Sequence, residues 1–281
     1  MITFDADTGR AQKAVESAKR RQLPVPQVID DTAAMVDVAL KAAHMEVPPR
    51  PTLDDIPATA EELATAIEER AHAHRIAKAH NAIGTDYLEP IARKYNALVR
   101  EQVPGWIRAL QPEFNGLVKQ LRALAKKLPD NLDPVWLNWD DPAVSTPWTR
   151  AEGIALQLDQ IVTDRKTLAM AGGLAGEGGP DSELYAVARL PDPTTRGVAE
   201  HHMRDHIAPE IVQWRDLKRQ PVPRWLQLTR SQYLTIELAT PDEVRGRAAV
   251  RGKWVEAISV RGVAPMPSER SIRAVQAVLD A

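Results

Sequence analysis

Apolar residues return at helical intervals along most of this 281-residue chain, and that period restricts it to a mainly α fold. The cleanest case is residues 113–128. Phe114, Leu117, Val118, Leu121, Leu124 and Leu128 share one face there, while Lys119, Arg122, Lys126 and Lys127 lie elsewhere. Residues 7–21 repeat the pattern with Ala11, Ala14, Val15 and Ala18, and end on Lys19, Arg20 and Arg21, which suit a helix C-terminus. A second helix is expected from about Asp31, carrying Met35, Val38, Leu40 and Ala43.

Prolines and capping residues divide the pattern. VPPRPTLDDIP, residues 47–57, holds four prolines and reads as an extended linker. Thr59-Ala-Glu-Glu62 has capping-box spacing and opens a long helical region expected to reach Val103, interrupted or kinked at Gly84 and Pro90 and ended by Pro104-Gly105. Leu88, Ile91, Tyr95 and Leu98 form a packing seam within it. PDNLDPVWLNWDDPAVSTPW reads as a long irregular stretch, after which Thr149-Arg-Ala-Glu152 is expected to start a helix with Ile154, Leu158, Ile161 and Leu168. AGGLAGEGGPD ends that helix, a short helix near 182–190 follows, and one further helix is expected from Thr195 to Arg219. Leu234, Ile236 and Leu238 alternate as in a hairpin, although residues 224–239 also fit a helix. Thr240-Pro-Asp-Glu243 is a helix start, and Pro267-Ser268 opens a last helix with Ile272, Val275, Val278 and Leu279.

The expected architecture is a mainly α multi-helix bundle with long helices and a small β-hairpin in the C-terminal region as the alternative to helix there. Its expected divisions are a helical arm (1–46), a Pro-rich linker (47–58), a helical body (59–220) and a smaller mixed region (221–281).

Composition removes several classes of function. A net charge of −2 leaves no field that would draw the whole chain to nucleic acid or an anionic membrane. The absence of cysteine excludes disulfides, thiolate metal sites and cysteine nucleophiles. MITFDADTGRAQK has early charges and no apolar core, unlike a secretory signal, and no stretch approaches the roughly 20 apolar residues of a membrane span. A cytoplasmic protein, or one in a particle assembled in the cytoplasm, is expected.

Three regions carry candidate chemistry. In AEHHMRDHIAPE, His202 and His206 stand at i and i+4, a spacing that presents two imidazoles to one zinc ion. The pattern H-x-x-D-H resembles the inverted zinc-peptidase motif H-x-x-E-H, with Asp205 in place of the general base, and the resemblance implies a metal-dependent hydrolase. It covers five residues and departs from the motif at the base. Such a site also needs a third ligand, and nothing in the surroundings of Glu237, Glu243 or Glu256 marks one of them as that ligand. The competing structural reading sets both histidines at the border of an apolar stripe made by Ala199, Met203, Ile207, Ile211, Trp214 and Leu217, and is preferred. His72, His74 and His80 scatter around their helix and cannot share one ion.

The second region is basic: Arg245, Arg247, Arg251 and Lys253 surround Trp254 and could contact phosphates, although interleaved acids favour a solvated face. The third is a set of Trp-Pro segments. Trp136, Trp139, Trp148 and Trp225 are candidate anchors of a partner interface, against the alternative that they plug their own bundle. AGGLAGEGGPD lacks the lysine and the preceding strand of a phosphate loop. No cofactor and no small-molecule substrate is indicated. The expectation is a non-enzymatic structural or interaction protein in a larger assembly, with other protein subunits as partners. A component or assembly factor of a phage or phage-like particle is one form of it, with nucleic-acid binding and metal-dependent hydrolysis as the alternatives.

Overall fold

The computed structural model describes residues 5–173, 179, 181–261 and 269–280. It is mainly helical and separates into two compact units, Met1–Glu101 and Gln102–Ala281. The Gly-rich stretch after residue 173 lies largely outside the described residues, as does the expected helix start at Pro267-Ser268. Among the described residues no helix is long and apolar enough to cross a membrane.

Unit 1 contains α1 (Ala6–Arg20), α2 (Gln27–Ala43) and the first part of α3 (Ala60–Ala125). Asp5 caps α1 by accepting the Thr8 amide, and Lys19 at its far end pairs with Asp30 of α2 at 2.7 Å. The buried face of α1 is small (Ala11, Ala14 and Ala18), which lets another helix come close. Thr8 and Asn96 tie α1 to α3 through a 3.2 Å hydrogen bond. Gly84 does the same work between α2 and α3: a Cβ there would sit 2.8 Å from the Ala42 carbonyl carbon. Thr59 and Glu62 form the reciprocal capping box that starts α3.

The structure corrects the expected end of that helix. α3 passes through Pro90, Pro104 and Gly105 without stopping. A proline inside a helix costs roughly 3 kcal/mol through its lost donor and its clash with the preceding turn. Here each proline is flanked by turns that are fixed by burial, with Leu88, Ala92 and Tyr95 around the first and Val103, Trp106 and Ile107 around the second. Burial of about 1.5–3 kcal/mol per large apolar side chain outweighs the local penalty.

Unit 2 begins with the rest of α3 and continues with α4 (Pro142–Ala171), α5 (Ser182–Tyr185), β1 (Ala188–Arg189), α6 (Thr195–Ala199), α7 (Ala208–Asp216), α8 (Pro221–Arg230), β2 (Thr235–Ile236), α9 (Pro241–Arg261) and α10 (Glu269–Asp280). Its core draws Trp106, Leu110, Phe114 and Leu121 from α3 and Leu158 and Ile161 from α4. α8 adds Trp225 and Leu226, and α9 adds Trp254. Arg230 closes the C-terminal end of α3, donating to the carbonyls of Ala125, Leu128 and Pro129 at 2.8–3.0 Å. α4 starts earlier than Thr149, because Asp141 accepts the Ala143 amide at 2.8 Å and Pro142 suits the first turn.

Two further corrections concern the C-terminal half. Residues 221–230 are helix, and the alternating run after them pairs antiparallel with β1 (Ala188 opposite Ile236, Arg189 opposite Thr235) instead of folding into a hairpin. Leu234, Ile236 and Leu238 do bury their side chains, as alternation requires. The single helix expected from Thr195 to Arg219 is broken. His201 takes a left-handed φ of 58°, a π-turn follows at Met203–Ile207, and α7 restarts at Ala208 with Pro209 in its first turn. Met203, Ile207, Ile211 and Trp214 remain buried through the break.

Candidate functional site

The histidine pair sits on that π-turn. The rings of His202 and His206 lie 5.7 Å apart, and Tyr233 stacks on His206 at 4.9 Å with 7° between the planes. His202 Nε2 lies 3.0 Å from Glu200, a neighbour in sequence. Glu210 accepts the Ser231 hydroxyl at 2.6 Å, and burial pushes its carboxyl above the ordinary range although Ser231 and His206 oppose the shift. Among the described residues no group of three or more histidine, cysteine, aspartate or glutamate side chains could hold a metal ion. The observed partners of the pair are thus an aromatic ring and a local carboxylate.

The basic segment of α9 is largely committed to its own fold. Arg247 is buried and donates to the carbonyls of Tyr185 and Glu237, both at 2.9 Å, as well as to the Glu237 carboxylate. Arg251 pairs with Asp181 and reaches the Tyr185 hydroxyl. Arg245 pairs with Asp242 one turn away, while Lys253 is exposed.

The four tryptophans separate into two kinds. Trp225 is wholly buried, donates to the Asp159 carboxylate at 2.8 Å and meets Phe114 and Trp214 edge-on. Trp148 is nearly buried and meets Trp139 edge-on at 5.4 Å. Trp139 is half-exposed and donates to the Pro134 carbonyl, and Trp136 is 75% exposed. An interface at these tryptophans therefore has Trp136 and Trp139 to offer.

Two concave surfaces have no counterpart in the sequence reading. In unit 1 an open groove of about 450 Å³ runs between α2 and α3, and it is almost wholly apolar. Met35 and Val38 of α2 and Ile83, Tyr87 and Ile91 of α3 line it, with Val38 67% and Tyr87 62% exposed. In unit 2 a recess of about 380 Å³ collects charge from four helices and the turn after α7. Arg165 and Lys166 come from α4, Arg215 from α7, Lys218 from the following turn and Arg224 from α8. Asp181, at the start of α5, and Glu183 within it face them.

The chain matches no family model, no curated protein and no solved structure.

In the recess, Asp181 is held by Arg215 at 2.7 Å and by Arg251. Glu183 is held by Lys218 at 3.2 Å and Arg224 at 3.4 Å. Burial raises the Glu183 carboxyl, but Lys218, Arg224 and Lys166 together bring it below the ordinary value. The guanidinium of Arg224 lies 3.7 Å over the Trp214 ring, and burial lowers its proton affinity against the pull of Asp159 and Glu183. Sequence reading missed this cluster because its cations are scattered among ordinary surface-type charges at residues 165–166, 215–218 and 224. A run of basic residues would have been the signal, and there is none.

Proposed function

We propose that the protein works through protein contacts, as a structural or interaction subunit of a larger assembly, and that its α2–α3 groove pairs with the same groove of a second copy. One observation supports this reading most directly. The groove presents Met35, Val38, Ile83 and Tyr87 together on one face, where an ordinary solvated helix pair would carry charge.

The charges beside the groove select the second copy. Asp31 lines one end of the α2 stripe, and Lys41 continues the stripe beyond Ala34 and Val38. Met35 and Val38 lie between the two charges. An isologous pairing repeats each contact twice, so an antiparallel approach of α2 to α2 sets Asp31 against Lys41 of the second copy at both ends. The same approach closes two grooves into one four-helix packing with the apolar residues inside.

Sedimentation equilibrium on the whole chain tests the reading. A dimer is expected for the wild type, and Val38→Glu combined with Tyr87→Glu should give a monomer with unchanged helical circular dichroism. Asp31→Lys should weaken the dimer and Lys41→Asp in the same chain should restore it. A wild-type monomer at micromolar concentration overturns the proposal, as does a dimer indifferent to both sets of substitutions.

A further inference from the structure

The recess of unit 2 carries more positive charge than its own acids neutralise. Lys166, Arg215, Lys218 and Arg224 line it against Asp181 and Glu183, a surplus of two among these groups, while Arg165 is buried in the wall and donates to the Ala239 carbonyl. Asp159 acts on Arg224 from behind the wall, while Arg251 draws on Asp181 from outside it, so the recess stays cationic. Both lining acids are already engaged: Asp181 with Arg215 and Arg251, Glu183 with Lys218 and Arg224. Neither is left to serve a cationic ligand.

The hydrogen-bonding capacity of the wall points the same way. Arginine, lysine and tryptophan side chains offer only donors. Arg224 Nε and Trp214 Nε1 are buried and have no acceptor among the described residues. Both residues also border a void of about 10 Å³ beside Glu210 and Ser231, with room for one water. It is therefore the charge surplus of the larger recess, more than the two orphan donors, that selects an anion.

We infer that this recess binds a small molecule through a phosphate group. A phosphate monoester brings about −1.5 to −2 charges and three strong acceptor oxygens to one point, which matches converging guanidinium and ammonium donors. One carboxylate brings a single charge and satisfies fewer of them. The recess is large enough to hold the phosphate with part of its organic substituent, and Arg224, stacked on Trp214, is held in one orientation for the contact. Lys166 and Lys218 stand at the mouth, with side chains 59% and 65% exposed, where they attract the anion without being part of the core. The inference does not depend on self-association through unit 1.

Isothermal titration with pyrophosphate, inorganic phosphate and citrate at low and high salt tests it. Pyrophosphate should bind one per chain, more tightly than inorganic phosphate, and should weaken steeply as salt rises. Lys166→Gln with Lys218→Gln should weaken pyrophosphate about tenfold, because two cations near the anion are lost. Lys119→Gln with Arg122→Gln, which removes the same charge from the exposed side of α3, should leave binding within twofold. Both doubles alter exposed side chains, and their melting temperatures in the absence of ligand verify folding. Absence of saturable pyrophosphate binding at low salt overturns the inference. So does an equal loss in the two doubles, which would mark a diffuse charge effect. Citrate binding more tightly than pyrophosphate would replace phosphate by a polycarboxylate and overturn the ligand class.

Discussion

Gly84 of α3 lies so close to Ala42 of α2 that an added Cβ would stand 2.8 Å from the Ala42 carbonyl carbon and 2.8 Å from its Cβ. Both neighbours belong to a helix and cannot swing aside as a flexible side chain would. In an exposed helix, Gly→Ala gains about 1 kcal/mol of propensity. Here Gly84→Ala is expected to lower stability by about 1–3 kcal/mol, the cost of overpacking. Urea unfolding of the full chain measures it. A gain in stability would show that α2 and α3 are not in close contact at Gly84.

Four tryptophans that look alike in the sequence should respond differently to truncation. Trp225→Ala removes a buried indole and leaves the Asp159 carboxylate without its donor, with an expected loss of about 3–5 kcal/mol. Trp136→Ala touches an exposed ring and should stay within about 0.5 kcal/mol of the wild type. Equal effects in parallel denaturation curves would contradict the burial assigned to them.

Arg230 is a C-terminal cap supplied from another helix. It donates to the carbonyl of Ala125, the last residue of α3, to those of Leu128 and Pro129 in the turn that follows, and to the Asp130 carbonyl at 3.2 Å. Arg230→Ala should destabilise unit 2 by about 1–3 kcal/mol, since carbonyls that accepted from a charged donor lose it. Arg230→Lys should recover only part, because an ammonium cannot span the same set. Hydrogen exchange at the last turn of α3 is the local measurement, and unchanged protection there would refute the capping role.

Tyr95 predicts an alkaline limit to the stability of unit 1. Burial, reinforced by Asp30, Glu16 and Asp37, pushes its phenol from the ordinary 10 up to about 12. The folded state therefore holds the proton more tightly than the unfolded chain does. The resulting stability is fully present below pH 10 and is lost as pH rises through about 12. Tyr95→Phe should flatten the fall of melting temperature between those values relative to the wild type. Identical slopes would show that the phenol titrates normally.

Acidic solution should act on unit 2 through Glu183, whose carboxyl lies below its ordinary 4.5 because three cations surround it. A depressed carboxylate contributes stability above its unfolded value, and that contribution disappears as pH falls below about 4.5. Glu183→Gln should reduce the acid-induced loss of melting temperature below that pH, and an unchanged acid profile would exclude the cluster as its source.

The helical class, most element positions and the caps at Thr59 and Thr240 are legible in the residues alone, because period and capping depend on residues within a few positions of each other. The alternation of Leu234, Ile236 and Leu238 was legible as well, but residues 224–239 fitted strand and helix alike, and only the fold buries the three together. That α3 continues through Pro90 and Pro104 depends on packing, since the energy that offsets a proline comes from side chains buried on either side of it. Packing likewise pairs the alternating run with Ala188–Arg189, makes Trp225 core and Trp136 surface, and sets His202 and His206 against Tyr233. The α2–α3 groove and the cationic recess belong to the same group. Their residues are unremarkable where they stand in the chain, and become a surface only when helices distant in sequence bring them together, which no local pattern records.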